Sequence, residues 1–478
     1  MIRKSIILQI VFISNLTMGK IKFISYHTIS AFILMSLIAC LSTAKKSEQG
    51  ERHGSAVSNW SDDQLLDTLQ RQTFNYFWTG AEPNSGMAPE RIHMDDIYPQ
   101  NDKHIVTLGG SGFGVMVLLV GIERGYITRQ EGLVRLQKIV DFLSRADRFH
   151  GVWPHWLDGN TGTTKPFSKM DDGGDLVETA FMIQGLLTVS EYFKEGNTEE
   201  QQLVADITRL WREVEWDWYT QGGQNVLYWH WSPNYGWDMN FPISGYNECL
   251  VMYVLAASSP THSIDPQAYH QGWTSHGNIT NDTVYYDLPT VLNHYGGGNN
   301  PVGPLFWAHY SYLGLNPKGL QDSYADYWEL NKNHALINYR YSVDNPKEFK
   351  GYGPQQWGLS SSYSVKGYAA HHPGEADLGV ISPTAALSSF PYTPEESMQF
   401  LRYLYGEADS LIGKYGPYDA YSQTHNWYVP RYLAIDQGPI PVMIENYRTG
   451  LLWNLFMQNK EVKIGLEKLG FTINNKTK

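Results

Sequence analysis

The chain has 478 residues, 42% of them hydrophobic, enough for a large core and for two or three average domains or one large toroid or barrel. Its net charge of −12 is spread along the sequence with no long Lys/Arg run, which excludes nucleic acid as a partner, because phosphates are held by clustered cations. Two cysteines exclude a disulfide framework.

Two apolar runs open the chain, Ile6 to Ile13 and Ile29 to Ala39, separated by Lys20 and Lys22. Neither is long enough for a comfortable membrane span. The second ends in Leu37-Ile38-Ala39-Cys40, which is similar to a bacterial lipobox behind a basic n-region and an apolar h-region. Residues 1–39 are therefore read as a signal sequence, with Met18 as an alternative start. The lipobox resemblance implies diacylglycerol on Cys40, hence a periplasmic or outer-membrane-anchored lipoprotein, since two or more acyl chains anchor stably. Residues 40–58, rich in Lys, Ser, Glu and Gly without apolar periodicity, read as a tether.

From Trp60 onward, apolar helical spacing alternates with connections rich in Gly, Pro, Asn and Tyr. Ser61 is placed to cap a helix carried by Leu65, Leu69, Phe74 and Phe77. Helices are predicted over 112–124 and 128–148, joined by Gly125-Tyr126, and over 172–194 and 199–215. Others follow over 245–257, 301–315, 324–339, 382–390, 394–412 and 438–458. Short β segments are expected only around Tyr228-Trp-His-Trp231. Paired helices with long loops at the joints predict an all-α fold, an α/α toroid of inner helices ringed by outer ones in six-fold pairing. It is read as one domain over 59–470, followed by a polar tail at 471–478. No internal repeat is visible, so the six-fold count rests on the pairing alone.

Aromatic residues make up 14% of the chain, with 16 Trp and 32 Tyr, and many stand among polar residues and glycines. Flat rings beside Asp, Asn or His suit sugar binding, ring faces on C–H patches and polar groups on hydroxyls; a Trp-rich core accounts for the rest. The substrate-binding set read from these surroundings is Trp153, His155, Trp156, Trp231, Tyr246, Asn247, Trp357, Trp427, Gln437 and Glu445.

The stretch Met170 to Leu187 carries Asp171, Asp175 and Glu178 at i, i+4 and i+7, one face if the segment is helical. The rival reading makes Asp171, Asp172 and Asp175 caps on a helix start. Glu248 begins an otherwise almost wholly apolar helix, where a carboxyl is costly unless paired or protonated. A raised pKa is what a general acid needs at neutral pH. Asp436 and Gln437 stand just before Gly-Pro-Ile-Pro, so Asp436 projects from a loop end or caps a helix. Glu445 and Arg448 at i, i+3 have the spacing of a structural ion pair. His371-His-Pro-Gly-Glu375-Ala-Asp377 lacks a second ligand pair at zinc spacing and is read as a substrate-side loop. Gly109-Gly-Ser-Gly-Phe-Gly114 has no phosphate-binding Lys, and is read as letting a helix start approach substrate through its backbone. Cys249 reads as a small buried hydrophobe.

Paired carboxylates among aromatic rings are the machinery of glycoside hydrolysis. Five ordered motifs, Thr107 to Gly114, Gly151 to Trp156, Asp171 to Glu178, Ile243 to Glu248 and Ile435 to Tyr447, together resemble the glycoamylase-like β-1,2-glucanases of glycoside hydrolase family 144. The resemblance covers about Trp60 to Leu469. It implies an α/α toroid, no metal and no cofactor, and hydrolysis of β-1,2-glucan with inversion to sophorose and short sophoro-oligosaccharides. It also implies Glu248 as general acid, Asp171, Asp175 and Glu178 as an acidic cluster, and Asp436 as a cleft acid. Asp436 is favoured as base, with Asp175 or Glu178 as rival. The protein is read as a monomer whose partners are its polysaccharide and its lipid anchor. Two other classes compete. A surface glycan-binding lipoprotein would need aromatic platforms but no buried acid; a polysaccharide lyase would need cations for uronates where these motifs are acidic. The insertion from Ser258 to Pro301, with Tyr269, Trp273, Tyr285 and Tyr286, is read as a candidate plug at one end of the cleft.

Overall fold

Apolar periodicity dictates most of the architecture. In the computed structural model, which describes residues 59–99, 102–294 and 300–474, the chain is mostly helical. The expected signal sequence, Cys40 and the tether to residue 58 lie outside the described residues. Helices α1 (Asp62–Trp78), α2 (Leu108–Glu123), α3 (Arg129–Arg145), α4 (Leu176–Phe193) and α5 (Thr198–Arg212) form the first half. They are followed by α6 (Leu250–Ser258), α7 (Tyr327–Asp344), α8 (Pro383–Ser388) and α9 (Pro394–Gly406). Last come α10 (Ala434–Gln437), α11 (Pro439–Arg448), α12 (Leu451–Gln458) and α13 (Lys460–Lys468).

The helices fall into two kinds. α2, α4, α6 and α8 are buried along nearly their whole length, as apolar runs with no polar stripe must be, whereas α3, α5, α9 and α13 are amphipathic and keep an exposed face. Capping boxes start the amphipathic helices α1, α3 and α5, at Ser61/Gln64, Thr128/Glu131 and Asn197/Glu200. The buried helices pack in sequence: α4 against α2 and α6, and α11 against α2 and α8.

Four expectations are corrected. The helix over 301–315 is two 3-10 turns, Leu305–Ala308 and Ser311–Leu313, because Gly303-Pro304 ahead and Gly314 behind give neither donors nor propensity for a longer helix. The helix over 438–458 is broken at Gly450, whose φ of 73° ends α11 and starts α12. Short strand pairs occur at many connections, not only near 228–231: His230–Trp231 does pair with Gly174–Asp175, and Arg91–His93 pairs with Arg431–Leu433. The fold also runs past residue 470, since Phe471 is buried and Thr472–Ile473 pairs with Leu320–Gln321. In the 258–301 insertion, Tyr269 and Trp273 are stacked in the core, and the hairpin Thr280–Tyr285/Leu288–Leu292 is tied to α7 through Tyr286, whose hydroxyl donates to Asp344 at 3.1 Å.

Candidate active site

The start of α4 lies against the start of α2, and glycine makes the approach. A Cβ on Gly109 would sit 2.7 Å from Glu178 Oε2, on Gly112 2.5 Å from the Phe181 carbonyl, and on Gly185 2.1 Å from the Gly112 carbonyl. The Gly109 N–H donates to Glu178 Oε2 at 2.6 Å, with Thr107 Oγ1 at 3.4 Å. The glycine motif therefore cradles a carboxylate and a helix pair, rather than approaching substrate directly. Glu178 keeps a sliver of exposure; burial pushes its pKa up to about 7, aided by Asp175 and opposed by the charge on His155.

Asp171 and Asp175 are not helical, so the shared helix face is corrected: Asp175 is the N-cap of α4 and Asp171 arrives from the preceding loop. Asp175 Oδ1 accepts from the Val177 and Glu178 N–H groups at 3.0 and 2.9 Å. Its Oδ2 accepts from His155 Nδ1 at 2.8 Å and Trp229 Nε1 at 3.1 Å. A carboxylate offers about four acceptor positions, and these four donors fill them. Burial alone would raise this carboxyl; the hydrogen bonds and charges of His155 and His230 outweigh it and hold it well below the usual carboxylate range. In return, burial would lower both imidazoles, but the surrounding acids raise His155 to about 10 and His230 to about 9. Ligand atoms of His155, Asp171, Asp175 and His230 lie within 4.8 Å of one another, a donor set of metal type. With Asp175 fully engaged by N–H donors, the set is a charged hydrogen-bond network instead. Among the described residues, Asp171 Oδ1 and His230 Nδ1 are buried and have no protein partner.

Glu248 occupies the turn ahead of α6, which begins at Leu250, two residues later than a helix led by Glu248 would require. Asn247 Oδ1 accepts the Cys249 N–H at 2.9 Å, and Ser311 Oγ donates to the Glu248 carbonyl while accepting the Val251 N–H. The backbone is pinned, and among the described residues no cation pairs with the carboxyl. Burial pushes its pKa up to about 7; a bond to its own backbone opposes this, and the charges of Glu178 and Asp175 add to it.

Asp436 sits on α10, one turn of helix that follows strand Arg431–Leu433. Tyr310 OH donates to Asp436 Oδ1 at 3.1 Å, and its pKa is raised by burial and then by the charges of Asp436 and, more weakly, Glu248. Its ring is held by Phe113 of α2 and Phe181 of α4. Burial, then the neighbouring Asp419, drives the Asp436 pKa well above the carboxylate range. Asp419 is fully buried and raised to about 7, again by burial first. Sequence reasoning missed Asp419, Tyr310, Glu90 and His230. Of these only His230 stood in a motif already noted, between two tryptophans.

The aromatic set divides. His155 and Trp156 are half-buried beside the acids, and exposed Phe167 stacks on His155 at 4.3 Å and meets Trp156 edge-on at 4.8 Å. Trp231 follows His230 in its strand and packs instead on Phe149, His150 and Trp218. Phe167 was also missed, though a phenylalanine in the polar loop Thr163-Thr-Lys-Pro-Phe-Ser-Lys169 is a visible oddity. Trp427 is half-buried against the Tyr363, Val380 and Leu433 cluster. Five expected binders are corrected to structural roles because they have no surface to offer. Trp153 Nε1 donates to the Leu143 carbonyl at 3.0 Å, Trp357 Nε1 to the Glu396 carbonyl at 3.3 Å, and Tyr246 OH to Asn331 at 2.8 Å. Gln437 ties Pro417 to α10 at 2.9 Å, and Glu445 pairs with Arg124 at 2.7 Å while Arg448 turns to Asp67. Asn247, nearly as buried, serves as the cap noted above. The His371 loop is structural too: His371 is buried on Ser362 Oγ, and Asp377 accepts from Tyr341 and Tyr352.

Comparison with known proteins supplies the context for this geometry. A Glycoamylase family model matches residues 240–460. The exo β-1,2-glucooligosaccharide sophorohydrolase (non-reducing end) of Parabacteroides distasonis is 45% identical over 429 residues, which cover 86% of this chain and 58% of that protein. The chain thus spans less than two thirds of that curated relative. The endo-β-1,2-glucanase from Chitinophaga pinensis, solved with sophorotriose and glucose, is 62% identical over 86% of this chain and 99% of its own, with a TM-score of 0.85. An endo-β-1,2-glucanase from Talaromyces funiculosus, solved with sophorose, shares the fold at a TM-score of 0.61 and 11% identity, over 85% of this chain and 92% of its own.

Proposed function

Because this chain belongs to the glycoamylase-like β-1,2-glucanase family, we propose that it is a glycoside hydrolase that cleaves β-1,2-glucan to sophorose or sophoro-oligosaccharides with inversion. Glu248 protonates the leaving glycosidic oxygen, and Asp436 takes the proton of the water that attacks the anomeric carbon from the opposite face. Asp171, Glu178, His155 and His230 bind sugar hydroxyls, Phe167 and Trp156 offer ring faces, and Asp175 holds the two histidines in place. The observation that carries this reading is the burial of the Glu248 carboxyl with no ion-pair partner among the described residues; burial pushes its pKa up to about 7, so it keeps a proton to give near neutral pH. A glycan-binding protein has no use for such a group.

Product analysis on β-1,2-, β-1,3-, β-1,4- and β-1,6-glucans tests the substrate. Sophorose or longer sophoro-oligosaccharides from the β-1,2-linked polymer alone are expected, with their size distribution separating exo from endo attack. Proton NMR during the first turnovers is expected to show the α-anomer; the β-anomer would refute inversion. Glu248→Gln and Asp436→Asn are each expected to lose at least about 100-fold in kcat.

The same reading closes the two helical layers into an α/α ring of six-fold pairing, acting as a monomer, in line with the fold shared with the Talaromyces enzyme. It also places lipid on Cys40 and the catalytic unit in the periplasm or on the outer membrane. Cys40→Ser is expected to shift the protein from the membrane to the soluble fraction and to abolish labelling by a fatty-acid probe.

A further inference from the structure

Asp419 lies in a short connection between the hairpins Ile412–Gly413/Gly416–Pro417 and Tyr421–Ser422/Trp427–Tyr428. Two bonds fix this connection beside Asp436: the Asp419 N–H donates to the Arg431 carbonyl at 3.0 Å, and Gln437 Nε2 donates to the Pro417 carbonyl at 2.9 Å. Each of the two carboxyls has one oxygen engaged by a protein donor. Asp419 Oδ2 accepts the Tyr363 N–H at 2.7 Å, and Asp436 Oδ1 accepts the Tyr310 hydroxyl at 3.1 Å. The remaining oxygens, Asp419 Oδ1 and Asp436 Oδ2, are buried and receive no donor, yet the two side chains are hydrogen-bond neighbours. Two acceptors cannot bond to each other, and two buried carboxylates in contact cannot both ionise at moderate cost. One proton between them resolves both problems.

We propose that Asp419 is a positioning residue that stands as a neutral acid, its Oδ1–H donating to Asp436 Oδ2 so that Asp436 stays the anion that receives the proton of the attacking water. The inference rests on Asp436 being the base. Tyr310 and Tyr363 each engage one oxygen and leave the other free, so the fixed partners admit the proton on either carboxyl. The role of Asp436 as base assigns it to Asp419, which then accepts from Tyr363 on Oδ2 and donates from Oδ1. The other titratable groups facing the pair are Tyr310 and Tyr368 toward Asp436, Tyr363 toward Asp419, and Glu90 toward both. Glu90 is itself ion-paired with Arg91, which also reaches Asp102 at 2.9 Å, and Arg431, whose carbonyl accepts the Asp419 N–H, pairs its guanidinium with Asp95 at 3.0 Å, so among the described residues no ion pair reaches the dyad. The shared proton takes that place.

Asparagine reproduces a neutral acid, with its oxygen toward Tyr363 and its NH2 toward Asp436; alanine does not. The pH profile of kcat/KM on β-1,2-glucan, measured for Asp419→Asn, Asp419→Ala and Asp436→Asn, tests the arrangement. Asp419→Asn is expected within about tenfold of wild type, with its acid limb within half a pH unit. Asp419→Ala is expected to lose about 100-fold at pH 6 and to move its acid limb up by a pH unit or more, because the Asp436 anion loses its donor. An unmoved acid limb in Asp419→Ala, or Asp419→Asn as inactive as Asp436→Asn, overturns the inference while leaving the base assignment intact. Full activity of Asp436→Asn instead removes the base and overturns both. Should Asp419→Ala not fold, difference infrared spectroscopy of wild type against Asp419→Asn at pH 6 reads the proton without substrate. Loss of one protonated-carboxyl C=O band is expected; identical spectra in that region would end the proposal.

Discussion

Asp175 and Glu178 stand three positions apart at one helix start, both buried, yet near neutral pH Asp175 is fully ionised and Glu178 keeps much of its proton. The difference lies in their donors. Asp175 collects two helix N–H groups, a histidine and an indole, and stays ionised. Glu178 collects one backbone N–H and a long contact to a threonine, beside a carboxylate, and is pushed up to about 7. This makes Asp175 the organiser of the histidines and removes it as a rival base, since a carboxylate with every acceptor position filled cannot take up a proton from water without breaking a bond. Asp175→Asn keeps the cap, because asparagine caps as well as aspartate, but takes away the anion. We expect the fold to survive and the imidazole midpoints of His155 and His230 to fall by a unit or more in NMR titration. Activity should fall at least about tenfold with the hydroxyl-binding network discharged. Unchanged midpoints would show that the histidines owe their charge to Asp171 and Glu178 instead.

At the scale of elements, the pairing of α2 with α4 sets the site, because each helix start carries part of it. Gly185→Ala pushes a Cβ to 2.1 Å from the Gly112 carbonyl, backbone against side chain with no rotamer to relieve it. We expect a loss of about 1–3 kcal/mol and a lower Tm, together with a lower kcat, because α2 cannot move off α4 without withdrawing the Gly109 N–H from Glu178. Gly406→Ala, with nothing within 4 Å of its Cβ, is the control and is expected to be neutral or slightly stabilising. If Gly185→Ala lowers Tm without touching kcat, the helix seam and the site are independent. The glycines also show what a sequence can reveal. Their run from 109 to 114 advertised a close approach, but not its partner: an absent side chain does not name the neighbour that fills its space. Glu248 was legible because an acid in an apolar run is conspicuous at any register, although its helix starts later than the pattern suggested. Asp419 was not, since it sits between hairpins whose two-residue strands are too short to show alternation. Trp153, Trp357 and Tyr246 misled for a related reason: polar neighbours in sequence are not neighbours in space, and each ring turns its polar tip to a buried acceptor.

Across the whole molecule, the site acts against stability in a way that pH exposes. Glu178, Glu248 and Asp419 have folded pKa values raised to about 7, so from about pH 4.5 upward the unfolded chain has released protons that the folded chain still holds. The unfolded state then binds fewer protons, and stability falls as pH rises through that window. His155 and His230, raised to about 10 and about 9, continue the trend: their contribution is fully present below pH 6.5 and is lost as pH rises through their folded values. Asp175, depressed, acts in the opposite sense; its contribution is present above its unfolded pKa near 3.8 and is lost as pH falls below it. Together these place maximal stability near pH 4–5, whereas the proposed chemistry needs Asp436 ionised and Glu248 still protonated. Glu248→Gln discriminates. At pH 5 the wild-type carboxyl is already neutral and the substitution changes little. At pH 8 the wild type must ionise a buried acid whose pKa has moved from 4.5 to about 7, a penalty on the order of 3 kcal/mol that glutamine does not carry. We therefore expect scanning calorimetry to give the variant a Tm several degrees above wild type at pH 8 and nearly equal to it at pH 5, in a protein that no longer cuts glucan. A Tm difference independent of pH would mean that Glu248 has the same pKa folded and unfolded, so that burial costs its anion nothing. That result would take away the physical reason for assigning it the acid.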